Sequence, residues 1–153
     1  MASDSAGVRV PPPFIYFGAL LLGIFGGRFL PGTLPNSLAT VIAGSVLFMF
    51  GFALAYGAIS CFRERGTNVN PNAPVTALVF DGPYRITRNP MYVGLACAYA
   101  AIALWTRSLW ALVLLVPVLL VIRYAVIARE ERYLTAKFGA EYAGYTARVR
   151  RWI

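Results

Sequence analysis

Four long apolar stretches, joined by short polar links, dominate this 153-residue chain and set the solvent it folds in. They run roughly from Phe14 to Leu30, Leu38 to Phe62, Met91 to Trp105 and Leu109 to Ile127. A helix crosses the hydrocarbon core of a bilayer with about 20 apolar residues, within a range of about 17 to 25. The third stretch is at the short end, so it tilts little or begins inside the headgroup zone. Backbone polar groups find no water in lipid, which leaves helices as the way to satisfy them within one segment. Hydrophobic residues make up 59% of the chain and charged residues 13%, an excess beyond what a small water-soluble core uses. The expected fold is therefore all-α. It is an integral membrane bundle of about four transmembrane helices, followed by a C-terminal amphipathic cytoplasmic helix.

The links constrain how these helices meet. Thr106-Arg107-Ser108 separates the third and fourth stretches, so they should form an antiparallel hairpin. Pro31 to Asn36 joins the first two. Pro117 lies inside the fourth stretch, removes one backbone donor and should kink it. Gly23 and Gly27, four residues apart, permit a close helix approach in the first.

Charge sets the orientation. The formal net charge is +8. Arg9, Arg63, Arg65, Arg85, Arg88 and the run from Arg129 to Arg151 fall on one side, against Arg28 and Arg107 on the other. The positive-inside rule puts both termini, the long loop after the second span and the active site in the cytoplasm, in an inner or plasma membrane. Because the basic residues flank apolar spans, their partners are membrane lipid headgroups, and no nucleic-acid partner is expected.

Histidine is absent, which removes the usual general base. Cys61 and Cys97 form no CxxC pair, so no metal site is expected and both read as buried structural thiols. Residues 1–13 read as a disordered tail, 14–62 as two membrane helices, and 63–153 as the part that carries chemistry, ending in an interfacial segment.

Two polar segments stand out in a chain with so few charges. The first is Asp81 to Gly94, DGPYRITRNPMYVG. Asn89 suits an N-cap and Pro90 the first helical position, so the third span should start there. Its free N–H groups favour an anion such as a carboxylate, with Arg88 and Tyr92 on the same face. Gly82 and Gly94 allow close backbone approach. The second segment is Arg129 to Gly139, REERYLTAKFG, which continues the fourth span without a break signal. Glu130 and Glu131 lie near the membrane boundary, and Arg123, seven residues earlier, is expected below Glu130 on one face. From Gly139 the chain reads as a helix break followed by a short amphipathic helix, with Tyr142, Tyr145 and Trp152 near the headgroups. The hairpin brings the start of span three beside the end of span four. Asn89, Pro90, Met91 and Tyr92 then face Glu130 and Glu131. Such a pocket suits a zwitterionic sulfonium ligand, with its carboxylate at the helix N-terminus or Arg and its ammonium at Glu.

These residues resemble the isoprenylcysteine carboxyl methyltransferases and their bacterial and phospholipid-methylating relatives. The resemblance covers roughly residues 64–150. It rests on G-x-Y-x-x-x-R-[HN]-P-x-Y-x-G at Gly82 to Gly94 and E-E-x-x-L-x-x-x-F-G-x-x-Y-x-x-Y at Glu130 to Tyr145. It implies a membrane enzyme that uses S-adenosyl-L-methionine to methylate a lipophilic small-molecule or lipidated acceptor. It also implies cofactor contacts from Thr76, Ala77, Leu78, Val79, Tyr84, Asn89, Pro90, Met91 and Tyr92, with Glu130 holding the cofactor's amino group. Arg88 and Glu131 match neighbouring positions and are the candidate catalytic residues, Glu131 being the candidate base if the acceptor is an amine. Two positions depart from the eukaryotic pattern: Asn89 replaces its usual His, and Val126 stands where an Arg is thought to meet the substrate. The second departure weakens the inference to a prenylcysteine. The implied reaction is in-line displacement at the methyl carbon, which needs no base for a carboxylate acceptor. Two alternatives remain open: a membrane reductase of the related sterol-reductase architecture, and a non-catalytic membrane protein.

Overall fold

The computed structural model describes residues 7, 10–69 and 73–153, and among them the chain is helical with no strand. Helix α1 spans Pro12–Gly26 and ends in a short 3₁₀ turn, Gly27–Phe29. Helix α2 spans Leu38–Glu64, α3 Pro90–Trp105 and α4 Leu109–Val121. A π turn, Ile122–Ile127, joins α4 to α5, Ala128–Thr146. The expected tail, residues 1–13, lies largely outside the described residues, and Pro12 and Pro13 already belong to α1.

Three helical elements are long and apolar enough to cross a bilayer: Pro12–Phe29, Leu38–Glu64 and Leu109–Thr146. The fourth expected span, Pro90–Trp105, has 16 residues. At 1.5 Å per residue it reaches about 24 Å, short of a hydrocarbon core of about 30 Å. The 38 residues from Leu109 to Thr146 reach about 57 Å, almost twice that core. Their apolar part ends at Ile127, and the charged α5 continues beyond it. Phe14, Phe17, Leu22, Phe29, Leu38, Met49 and Val116 are exposed, as lipid-facing side chains should be.

Local chemistry explains where the helices begin. Ser37 caps α2 by accepting from Thr40 N at 3.2 Å. Ser108 caps α4 by accepting from Ala111 N at 3.1 Å and donates to Gly23 O of α1 at 3.0 Å. That bond is possible because α1 and α4 nearly touch: a methyl on Gly23 would stand 2.5 Å from Ala111 Cα. The close approach expected of Gly23 is therefore present. Small residues also join α2 to α3. A methyl on Gly51 would sit 2.7 Å from both Cys97 Cβ and Gly94 O, and one on Gly94 would sit 2.7 Å from Gly51 O.

Between them, α1, α3, α4 and the π turn bury one core of Tyr16, Leu20, Tyr92, Tyr99, Ala103, Ala111, Val118 and Ile122. Tyr16 Oη donates to Tyr92 O at 3.1 Å and fixes α1 against the start of α3. The hairpin of α3 and α4 forms as expected, and continuous helix from α4 into α5 brings the latter beside the start of α3. The departure from α-helical bonding falls at Ile122–Ile127, after Pro117. A π turn holds one residue more than an α turn, so spacings across it no longer return to the same face. For that reason Arg123 does not lie below Glu130: it is exposed, with its guanidinium 5.4 Å from the Tyr124 ring centre.

The expected break at Gly139 is present, with φ 50° and ψ −120° inside α5. The residues beyond the break depart from expectation. Tyr142 and Tyr145 are 4% and 5% exposed and pack with Leu78, Phe80, Leu134 and Phe138 instead of meeting headgroups. The turn at Gly139 swings them back onto the loop before α3, and burying two rings outweighs leaving them at an interface. Trp152 is half-buried against the main core.

Candidate active site

The loop between α2 and α3 is held at both ends. Asp81 is paired with Arg65 and, at 3.4 Å, with Arg85. The Arg65 hydrogen bond holds its carboxyl below the usual carboxylate range. Gly82 has φ +56°, a region that favours glycine, and its Cα faces Cys61 Sγ so closely that a methyl would stand 3.0 Å away. This turn aims Tyr84 inward, where its ring packs 5.7 Å from Phe62 and its carbonyl accepts from Tyr145 Oη at 2.8 Å.

Asn89 occupies the position before α3, but its side chain makes no capping bond. Its Nδ2 donates to Arg151 O at 2.9 Å, and its own N–H goes to Thr87 Oγ1 at 3.2 Å. The bond from Nδ2 to the Arg151 carbonyl sets the orientation of the amide, which sequence spacing did not indicate. Pro90 then supplies the first helical position as expected.

Facing this corner, Glu130 accepts from Tyr92 Oη at 2.6 Å. Burial pushes its carboxyl up to about 7; the Tyr92 hydrogen bond opposes that rise and the Glu131 charge adds to it. Among the described residues no Lys or Arg is paired with it. Glu131 has the opposite situation. Arg88 Nη1 lies 3.2 Å from its Oε1, and Arg151 grips it with Nε at 3.0 Å and Nη2 at 2.6 Å.

Between these groups lies a partly enclosed cavity of about 110 Å³. Ala77, Leu78, Val79, Tyr84, Arg88, Asn89, Met91, Tyr92, Glu130 and Glu131 line it. Thr76 and Pro90, also candidates, do not. Thr76 turns to the loop, its N–H donating to Thr67 Oγ1 at 3.1 Å, and Pro90 is fully buried under the wall. Phe62, Tyr133, Leu134, Tyr142 and Tyr145 line it too and were not among the candidates. Helical spacing from Glu130 would have found Tyr133 and Leu134, at i+3 and i+4. The two later tyrosines lie beyond the Gly139 break, where that spacing no longer applies.

The cavity thus joins an acid that has no cationic partner among the described residues to a wall of aromatic rings, an arrangement suited to a cationic ligand group. A family model described as phospholipid methyltransferase matches residues 39–141, well over half of the chain. The chain belongs to this family. The match takes in α2, α3, α4 and most of α5, and with them the whole corner formed by Tyr84, Tyr92 and Glu130. The expected resemblance to membrane methyltransferases is borne out, and membership brings membrane methyltransferase activity with it. A protein of Haemophilus influenzae (strain ATCC 51907 / DSM 11121 / KW20 / Rd), described as uncharacterized, is 43% identical over 63 residues, which is 41% of this chain and all of that protein. No solved structure matches the chain.

Proposed function

We propose that this phospholipid methyltransferase family member moves a methyl group from S-adenosyl-L-methionine to a lipophilic acceptor embedded in or lying on the membrane. Glu130 carries the reading. It is a carboxylate enclosed by aromatic rings, with a tyrosine hydroxyl as partner and no cation among the described residues. An isolated charge in such a place is costly unless a ligand supplies the counter-charge. The amino group of the cofactor fits there, and its sulfonium fits the faces of Tyr84 and Tyr92.

When bound, the sulfonium supplies an activated methyl group and a good leaving group. The protein's part is to bind, align and exclude water. Leu78, Val79 and Met91 give the cavity an apolar wall, and Tyr92 holds Glu130 in one orientation. An acceptor lone pair attacks the methyl carbon in line, and the carbon–sulfur bonding pair stays on sulfur. A carboxylate acceptor needs no base. An amine acceptor must lose a proton. Glu131, the candidate base for that step, has both oxygens engaged by guanidinium groups and positions Arg88, and the proton leaves to solvent water. The excess of basic residues on the side of the cavity favours a cytoplasmic site with both termini on the same face.

The test is calorimetric binding of S-adenosylhomocysteine to the full chain in detergent, with NADPH as the competing probe. The expected result is binding of the first and not the second, at least about tenfold weaker for Glu130→Gln and about threefold weaker for Tyr92→Phe, in line with loss of a charge-assisted bond. Binding of NADPH alone, or unchanged affinity in Glu130→Gln, overturns the proposal.

A further inference from the structure

We infer that Arg151 is a positioning residue of this site: the segment Arg150–Trp152 folds back over the start of α3 and holds Arg88, Asn89 and Glu131 in register. The inference rests on the methyl-transfer reading of the cavity and adds to it a part that lies far from both sequence motifs.

Backbone and side chain of the segment both take part. Arg88 N donates to Arg150 O at 3.0 Å. Thr87 Oγ1 and Asn89 Nδ2 both donate to Arg151 O, at 3.2 and 2.9 Å. Thr87 is fully buried and Asn89 is 9% exposed, so these are enclosed polar groups that need an acceptor. The Arg151 guanidinium then reaches across to α5 and takes both oxygens of Glu131. Trp152 closes the segment against the core. Three stretches far apart in sequence, Thr87–Asn89, Glu131 and Arg150–Trp152, are thereby tied at one corner of the cavity.

The planar fork of arginine is what makes this tie directional. It fixes both the position and the rotation of a carboxylate, which a lysine ammonium does not. Glu131 is the only acidic partner of Arg88 among the described residues, so fixing Glu131 fixes Arg88 on the cavity wall. It also commits the Glu131 charge to two guanidinium groups and leaves Glu130 as the acid on the wall that a cationic ligand can meet. Arg151 touches none of the cavity itself and acts through its neighbours.

The experiment uses the full chain in detergent micelles with Arg151→Gln, Arg151→Lys, Glu131→Gln and the Arg151→Gln/Glu131→Gln pair. One arm measures S-adenosylhomocysteine affinity by calorimetry. Each single glutamine variant should weaken binding about tenfold, Arg151→Lys should recover about a third of the loss on a logarithmic scale, and the pair should be no weaker than the worse single, because both changes remove one link. The second arm times trypsin cleavage after Arg150 by mass spectrometry. The scissile carbonyl there is the one pinned by Arg88 N–H, so Glu131→Gln should speed cleavage about tenfold by releasing the segment. Thr87→Val, which removes the hydroxyl bond to the segment and with it the acceptor of the Asn89 N–H, should speed it about threefold. Wild-type affinity in the singles, or losses that multiply in the pair, overturns the inference. Should the wild type bind no S-adenosylhomocysteine, the methyl-transfer reading falls, and the cleavage arm still decides the tie: unchanged rates in Glu131→Gln and Thr87→Val refute it.

Discussion

Glu130→Gln should make this protein more stable and less able to bind S-adenosylhomocysteine. Burial pushes the Glu130 carboxyl from an ordinary 4.5 up to about 7. A carboxyl whose pKa is raised in the fold binds its proton more tightly there than in the unfolded chain, so stability is highest at acid pH. It is lost as pH rises from about 4.5 to about 7, and stays lost above that. A rise of this size is worth about 3 kcal/mol. Glutamine has nearly the same shape, still accepts from Tyr92 Oη, and carries no charge. At pH 8 the variant should therefore unfold about 6–12 °C higher than wild type, given about 2–4 °C per kcal/mol for a chain of this length. At pH 4.5, where wild-type Glu130 is protonated in the fold and half-protonated when unfolded, the gap should all but close. Thermal unfolding in one detergent, at both pH values and one scan rate, measures it. Equal melting at pH 8 would refute the premise that this carboxylate sits in a poorly solvated place without a counter-charge. A gap of the same size at both pH values would refute titration as its cause. A fixed, near-saturating concentration of S-adenosylhomocysteine should raise the wild type more than the variant, by about 1.4 kcal/mol for a tenfold weaker Kd, so that stability and binding trade against each other at one side chain.

Two further changes probe the frame that presents the site. Gly51→Val places a branched side chain where even a methyl meets the Gly94 carbonyl and Cys97 Cβ at 2.7 Å; it should cost about 1–3 kcal/mol, read as a lower unfolding temperature and poorer detergent extraction. Gly139→Ala forces a side chain onto a backbone with φ 50° and ψ −120°. It should cost about 1–3 kcal/mol and expose Tyr142 and Tyr145, measured by hydrogen exchange across residues 140–149.

Much of the molecule was legible in its residue order because the bilayer demands it. An apolar run with charged ends has one way to satisfy its backbone, which is why α2 and α4 begin where Leu38 and Leu109 said they would. The hairpin followed from a link too short for anything else, and it brought Tyr92 to Glu130. Where reading failed, a competing partner or a change of helical phase was the cause. Asn89 left its expected cap for the Arg151 carbonyl. Arg123 was carried off the Glu130 face by the π turn. Tyr142 and Tyr145 were expected at headgroups because amphipathic spacing cannot say whether a face meets lipid or protein.

Sequence alone determined the solvent, the helices and the two polar segments, since each depends on residues near one another along the chain. Tertiary structure decided which of the two acids stands alone. Glu130 and Glu131 are adjacent and chemically identical, and nothing in their immediate surroundings ranks them. Their difference comes from Arg88 and Arg151, which reach one of them through space from distant parts of the chain. A hydrogen-bonding fork has no periodicity to betray it. Only the folded chain shows that Glu131 is taken and Glu130 is left facing the cavity.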